Sequence, residues 1–201
     1  MTQRIVLASS NPGKLREFGA MLADSGLEVI PQSSLGISDA DETGLTFVEN
    51  ALLKARHASR ASGLPALADD SGLCVDHLGG APGLYSARYA GDHGNAAANN
   101  DKLLRELDGV PEAQRGAFFI GVLVLLRHAD DPAPLIAEGR WHGRILTEGR
   151  GSGGFGYNPV FLPDGYTQSV AEMDDALKNR LSHRGQALAL LRERLHGLHL
   201  A

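Results

Sequence analysis

One cysteine, Cys74, is all that the 201 residues contain. No intrachain disulfide or CxxC site can form from it, so a reducing setting fits best and we expect a cytoplasmic protein. No targeting segment is expected either. Met1-Thr2-Gln3-Arg4 leads directly into Ile5-Val6-Leu7-Ala8, an apolar run too short for a signal peptide. Long hydrophobic runs are absent as well. The longest, Ala117 to Leu126, has ten residues against the ~20 of a membrane helix. It reads as a strand buried on both faces, and no membrane partner is expected. Excess positive charge is lacking too: the formal net charge of −5 argues against a general nucleic-acid coat, though it allows a local basic pocket. Lysine is scarce. Fifteen of the nineteen basic residues are Arg, and the lysines are Lys14, Lys54, Lys102 and Lys178. A compact ammonium and a planar guanidinium do different work, so these four positions draw attention.

What is present is enough for a globular core. The chain is 43% hydrophobic and 21% charged, and its length fits a single domain over 1–201. Residues 3 to 9 read as a strand, followed by an N-cap at Asn11 with Pro12 opening a helix that runs to Gly26. Leu27 to Pro31 resembles a second strand. Beyond the acidic loop 38–44, Thr46 and Glu49 form a capping-box pattern for a helix ending near Ser62. Phe47, Ala51, Ala55 and Ala58 share one face of it, and Asn50 and Lys54 another. Residues 66 to 78 read as short strands on either side of a polar break. Asn95 to Asp108 reads as a helix, and 116–128 and 134–148 as two long strands. A glycine-rich stretch to Tyr157 precedes a strand through Phe161. The last part is helical from about Ala171, interrupted near Ser182, with Leu188, Leu191 and Leu195 facing the core. Clustered strands favour a mixed sheet over a regularly alternating parallel one.

Several segments carry chemistry. In "LASSNPGKLREF" a strand, a polar turn, a lysine and a helix start suit a phosphate. The phosphate-loop pattern G-x-x-x-x-G-K-[ST] is nevertheless absent, because Leu15 follows Lys14 and no glycine begins the stretch. Asp69 and Asp70 are adjacent carboxylates between apolar segments and would need a cation if buried. A hard ion such as Mg²⁺ meets that need, with Glu42 offering a further oxygen; a solvated turn is the alternative. The glycines from Gly151 to Gly156 let backbone approach a ligand, and Phe155 or Tyr157 can stack on a base or anchor a hairpin. Ser182 reads as the N-cap of the last helix. His183 and Arg184 then sit where the helix dipole disfavours cations, which makes sense beside an anion or a carbonyl oxygen. His196 and His199 resemble half a metal site with no companions and read as a frayed helix end. Cys74 reads as a core residue.

These segments together resemble the inosine triphosphate pyrophosphatases, hydrolases of non-standard purine nucleotides. The matching stretches are SSNPGK at 9–14, ETGLTFVENALLKA at 42–55, LADDSGLCVD at 67–76, GGAPGLYSARYAG at 79–91, GGFGYNP at 153–159 and SHRGQAL at 182–188. They follow family order over nearly the whole chain. The resemblance implies an α/β fold: a mixed, elongated, twisted central sheet flanked by helices, in two lobes with the active site in the cleft between them. It implies Mg²⁺-dependent cleavage of ITP, dITP and XTP to the monophosphate and pyrophosphate, by a homodimer. On this view the turn Ser9, Ser10, Asn11, Pro12, Gly13 and Lys14 holds the triphosphate, and Lys54 and Lys178 contact phosphates. Asp70 becomes the general base, Asp69 assists it, and Glu42 and Asp70 hold the metal. Phe155, Gly156, Tyr157 and Asn158, with Ser182, His183 and Arg184, form the nucleobase pocket, and Ser71 lies near the substrate. The family usually has aspartate where this chain has Asn158, which keeps a carbonyl acceptor and loses the charge. Two other readings compete: a related pyrophosphatase of modified pyrimidine or 7-methylguanine nucleotides, and a catalytically silent nucleotide-binding module.

Overall fold

A computed structural model describes residues 3–23 and 26–195. The His196 and His199 pair and Met1-Thr2 lie outside them. In chain order the elements are β1 (Gln3–Leu7), α1 (Pro12–Leu22), β2 (Leu27–Pro31), α2 (Phe47–Ser62), β3 (Ala66–Val75), α3 (Ala96–Glu106), β4 (Gly116–Leu126), β5 (Leu135–Ile145), β6 (Phe161–Pro163), α4 (Asp175–Leu181) and α5 (His183–Leu195), with short 3-10 turns between them. The strands form one sheet in the order β2-β1-β3-β4-β5-β6. β1 pairs in parallel with β2 and β3, and β5 pairs antiparallel with β6, so the sheet is mixed, as expected. Among the described residues no helix is long and apolar enough to cross a membrane.

The chain divides into two compact units: residues 1–70, 121–139 and 184–201 form one, residues 71–120 and 140–183 the other. Each has its own core. In the first, Ile5, Leu7 and Leu67 of the sheet meet Phe18 and Leu22 of α1 and Leu188 and Leu191 of α5. On α2 the alanines Ala51, Ala55 and Ala58 are fully buried, and so small a face lets the helix lie close to its neighbours. Phe47, expected on that face, is half-buried. In the second unit Leu103, Trp141, Tyr157 and Phe161 form the centre. The apolar run read from sequence is β4, buried along nearly all of its length.

Several boundaries differ from the sequence reading, each for a local reason. The segment 66–75 is one unbroken strand, because Asp69 and Asp70 are buried on it rather than solvated in a turn. α1 ends at Leu22 with Ala23 as its cap, so Gly26, at φ 74°, opens β2 instead of closing the helix. α3 stops at Glu106, capped by Leu107. β4 stops at Leu126 because the buried Asp131 carboxylate accepts from the Arg127 backbone N–H and guanidinium, which turns the chain. Residues 158–160 form a 3-10 turn in place of strand, since Pro159 has no N–H to give a ladder. Cys74 is only half-buried.

A buried arginine that the sequence did not single out ties the second unit together. Arg115 donates to the carbonyls of Leu107 (2.7 Å), Ile145 (2.8 Å) and Leu146 (2.7 Å). Charge-assisted bonds of this kind contribute about 1.5–3 kcal/mol each, and orphaned carbonyls add a penalty. Arg115→Met should therefore destabilise the protein by about 3 kcal/mol, a non-additive total. At about 2–4 °C per kcal/mol this lowers Tm by roughly 6–12 °C, readable by calorimetry. A shift under about 2 °C would show that water replaces the guanidinium at these carbonyls.

Candidate active site

The first unit builds its polar centre on β3. Successive side chains of a strand point to opposite faces, so the adjacent Asp69 and Asp70 do not share one environment. Asp69 meets Lys14 of α1 and Arg184 of α5; Asp70 meets Lys54 of α2. Asp69 thus has two cations and Asp70 one, all drawn from the chain itself.

On the Asp69 side, Lys14 Nζ lies 2.8 Å from Asp69 Oδ2 and also donates to the Asp69 carbonyl at 3.3 Å. Arg184 Nε donates to Asp69 Oδ2 at 3.2 Å, while its Nη1 reaches Glu17 Oε2 at 2.8 Å. The anion expected beside the start of α5 is therefore present, as two carboxylates. Burial opposes ionisation of Asp69, yet Lys14 and Arg184 hold its carboxyl well below the usual range. Burial, with Lys54 and Arg184 nearby, pulls the Lys14 ammonium in the opposite direction from its Asp69 contact, and its pKa falls. Asp69 is thus ionised, with two cations on it.

On the Asp70 side, Lys54 donates to Asp70 Oδ1 at 2.6 Å and to Glu42 Oε1 at 2.9 Å. Burial pushes the Asp70 carboxyl up, and Glu42 adds to this, against the opposing pull of Lys54. The Lys54 ammonium is itself raised: burial lowers it, but Asp70 and Glu42 more than compensate. Glu42 reaches this position from a loop whose end is fixed by close approach. The Gly44 N–H donates to Asn50 Oδ1 at 2.8 Å, and a Cβ on Gly44 would lie 2.6 Å from that of Glu49.

The turn before α1 is capped as its sequence predicts. Asn11 Oδ1 accepts from the N–H groups of Gly13 (2.9 Å) and Lys14 (3.1 Å), and Ser9 Oγ accepts from that of Asn11. Pro12 has no N–H to offer. The backbone donors of Gly13 and Lys14 are thus already engaged, and the Lys14 ammonium is the strongest group of this turn for an anion. Ser10 and Pro12 are exposed.

The second unit gathers the remaining expected residues. Tyr157 is buried in the core and its hydroxyl donates to the Ser86 carbonyl at 2.9 Å. The ring thus anchors the glycine-rich loop; Phe155 beside it is half-exposed. Asn158 is buried against Gly154: a Cβ there would stand 1.9 Å from Asn158 Nδ2. Gly153 donates to the Ala171 carbonyl at 3.0 Å, close enough that a Cβ would lie 2.7 Å from the same oxygen. The glycines are therefore needed by the chain's own packing. Asn100 donates to the Gly156 carbonyl at 3.1 Å. The His183 ring stacks on Phe119 with centroids 5.1 Å apart. Lys178 is buried on α4, 3.3 Å from Asp175, and Ser182, also buried, separates α4 from α5. Ser71 follows Asp70 on β3 and is half-buried.

Sequence reasoning missed Glu17, Asn50 and Ser86. Glu17 was within reach, since it follows Lys14 by three residues and shares its helix face. Asn50 was noted beside Lys54 but not as the residue that fixes Gly44. Ser86 acts partly through its carbonyl, which no side-chain pattern reveals.

Glu42 and Asp70 direct one oxygen each at a single ammonium. Such a pair suits Mg²⁺, which takes one or two carboxylates and completes its shell with water and phosphate oxygens. Among the described residues no group of three or more His, Cys, Asp or Glu is placed to cage a metal. The donor set thus fits an ion shared with a phosphate ligand.

The model of the Ham1 family matches residues 5–194. A dITP/XTP pyrophosphatase of Xanthomonas oryzae is 65% identical over 198 residues, covering 98% of this chain and 100% of the relative. The structure of a HAM1 protein from Coxiella burnetii superposes with a TM-score of 0.90 at 46% identity, over 98% of this chain and 100% of that one. A nucleoside-triphosphatase / dITP/XTP pyrophosphatase from Mycobacterium abscessus gives a TM-score of 0.76 at 40% identity, over 94% and 97%.

Proposed function

The chain belongs to the Ham1 family, and from that premise we propose that it cleaves dITP, ITP and XTP to the monophosphate and pyrophosphate. The observation that carries this reading is the Glu42–Lys54–Asp70 arrangement, two carboxylates and an ammonium within 2.9 Å. Near-complete coverage of relatives named dITP/XTP pyrophosphatase supports the substrate class.

Cleavage between the α- and β-phosphates requires a water aligned with the α-phosphorus and charge to receive the leaving pyrophosphate. Asp70 takes the proton of that water; burial, which raises its affinity for protons, makes it a stronger base than an exposed aspartate. Lys14 and Lys54 bind phosphate oxygens, and Lys178 adds a third ammonium. Glu42 and Asp70 would hold Mg²⁺, which when bound supplies positive charge for the phosphate oxygens. Asp69 and Glu17 hold Arg184, and Asp69 also holds Lys14, so these carboxylates fix the cations in place. Phe155, the backbone of Gly156 and Tyr157, Asn158, Ser182 and His183 bind the base. Arg184, engaged by two carboxylates, acts on the base through its neighbours. The active form is a cytoplasmic homodimer.

The test is pyrophosphate release from ITP, dITP, XTP, GTP, ATP, 7-methyl-GTP and a modified pyrimidine triphosphate, each with and without Mg²⁺. We expect turnover of the first three, dependent on Mg²⁺, and ATP and GTP poorer by about 10²-fold or more, as hydrogen-bond matching at the base allows. Preference for 7-methyl-GTP or the pyrimidine would move the protein to the related activity. Binding without turnover of any nucleotide would make it a silent module.

A further inference from the structure

The segment 36–46, between β2 and α2, contains neither helix nor strand, yet it carries Glu42. Several hydrogen bonds hold it beyond the Glu42–Lys54 pair. Asp39 Oδ1 accepts from Ser10 Oγ at 2.8 Å and from Gln32 Nε2 at 2.5 Å. The His57 ring nitrogen lies 2.9 Å from the Ser38 carbonyl, and Gly44 is fixed to Asn50 at the far end. His57 and Asn50 both belong to α2. Asp39 ties the loop to the turn before α1 by accepting from the Ser10 hydroxyl. Gln32, only 2% exposed, braces this contact: its amide donates to Asp39 Oδ1 and also lies 3.4 Å from Ser10 Oγ, closing a three-residue ring.

We propose that Asp39 is a positioning residue: it locks the acidic loop to the Ser10 turn so that Glu42 stands ready for a divalent cation. The inference rests on the reading of Glu42 as a metal ligand given above. A ligand carried on an unanchored loop must be ordered when the ion binds, and that cost weakens binding. Loss of the partners that orient metal ligands typically weakens metal affinity about 10–100-fold. Asp39 touches neither water nor phosphate in this scheme. Its removal should change the concentration of Mg²⁺ required and leave the rate at saturation nearly intact.

The test uses the full chain carrying Asp39→Ala or Asp39→Asn. The first measurement, without nucleotide, is cleavage after Glu42 by a glutamate-specific protease. The second is the Mg²⁺ concentration giving half-maximal pyrophosphate release from dITP. In Asp39→Ala, cleavage should quicken at least ~10-fold and the Mg²⁺ midpoint rise ~10–100-fold, with kcat at saturating Mg²⁺ within about threefold of wild type. Asp39→Asn keeps one acceptor oxygen and should fall between the two, which preserves the test if the alanine variant does not fold. Unchanged cleavage, an unchanged midpoint, or a loss of kcat that Mg²⁺ does not rescue would each overturn the proposal. If wild type releases no pyrophosphate from dITP, the activity assigned above fails, while the protease measurement still decides whether Asp39 locks the loop.

Discussion

Asp70→Asn should lower kcat by at least the ~10²-fold typical of losing a general base, while the triphosphate still binds. The amide keeps the shape of the carboxylate and an acceptor for Lys54, but it cannot take a proton from water. The same carboxyl sets the acidic side of the pH profile. Because burial raises its pKa in the folded protein, the base form is lost as pH falls through a value above the ~3.9 of an exposed aspartate. The acid limb of kcat/KM in wild type should therefore lie above that value. Steady-state pyrophosphate release across pH for both proteins is the measurement. Near-normal turnover by the variant would remove Asp70 from the proton transfer.

Asp69→Ala should be the most destabilising change in the first unit. It removes the shared counter-ion of Lys14 and Arg184. Breaking a buried pair from one side costs about 3–5 kcal/mol, because the remaining charge is left buried and uncompensated. For a chain of this size that is a fall in Tm of roughly 6–20 °C, at about 2–4 °C per kcal/mol. The pH dependence has a definite sign. Asp69 is depressed in the folded state, so its contribution is fully present above the unfolded value of ~3.9 and is lost as pH falls through the folded value. The gap in Tm between wild type and variant should be constant near neutrality and narrow in acid. Calorimetry from pH 7 downward measures it. A gap that widened in acid would contradict an ionised Asp69 held by two cations.

The local parts of this site were legible because local chemistry fixes them. Asn11 and Pro12 open α1, and Thr46 opens α2, because a side-chain acceptor must satisfy N–H groups that no helix can satisfy for itself. The run 117–126 reads as a buried strand, too short for a membrane and too apolar for a surface, and it is β4. The order of the motifs likewise carried the family, which needs no coordinates.

Other features were decided only when distant segments met. A pair of aspartates in sequence is compatible with a turn, a metal or an ion-pair network. The outcome depended on Lys14, Lys54 and Arg184 arriving on the two faces of β3, the last of them from 115 residues away. The glycine-rich loop looked like a ligand cradle by composition, yet Gly153 and Gly154 are small because Ala171 and Asn158 stand against them. Tyr157 looked available for stacking, but its ring is buried and its hydroxyl has a partner at Ser86. In each case the residue type set what chemistry was possible. The tertiary structure decided which partner used it, because burial makes every unpaired charge and donor costly and thereby selects the pairings that survive.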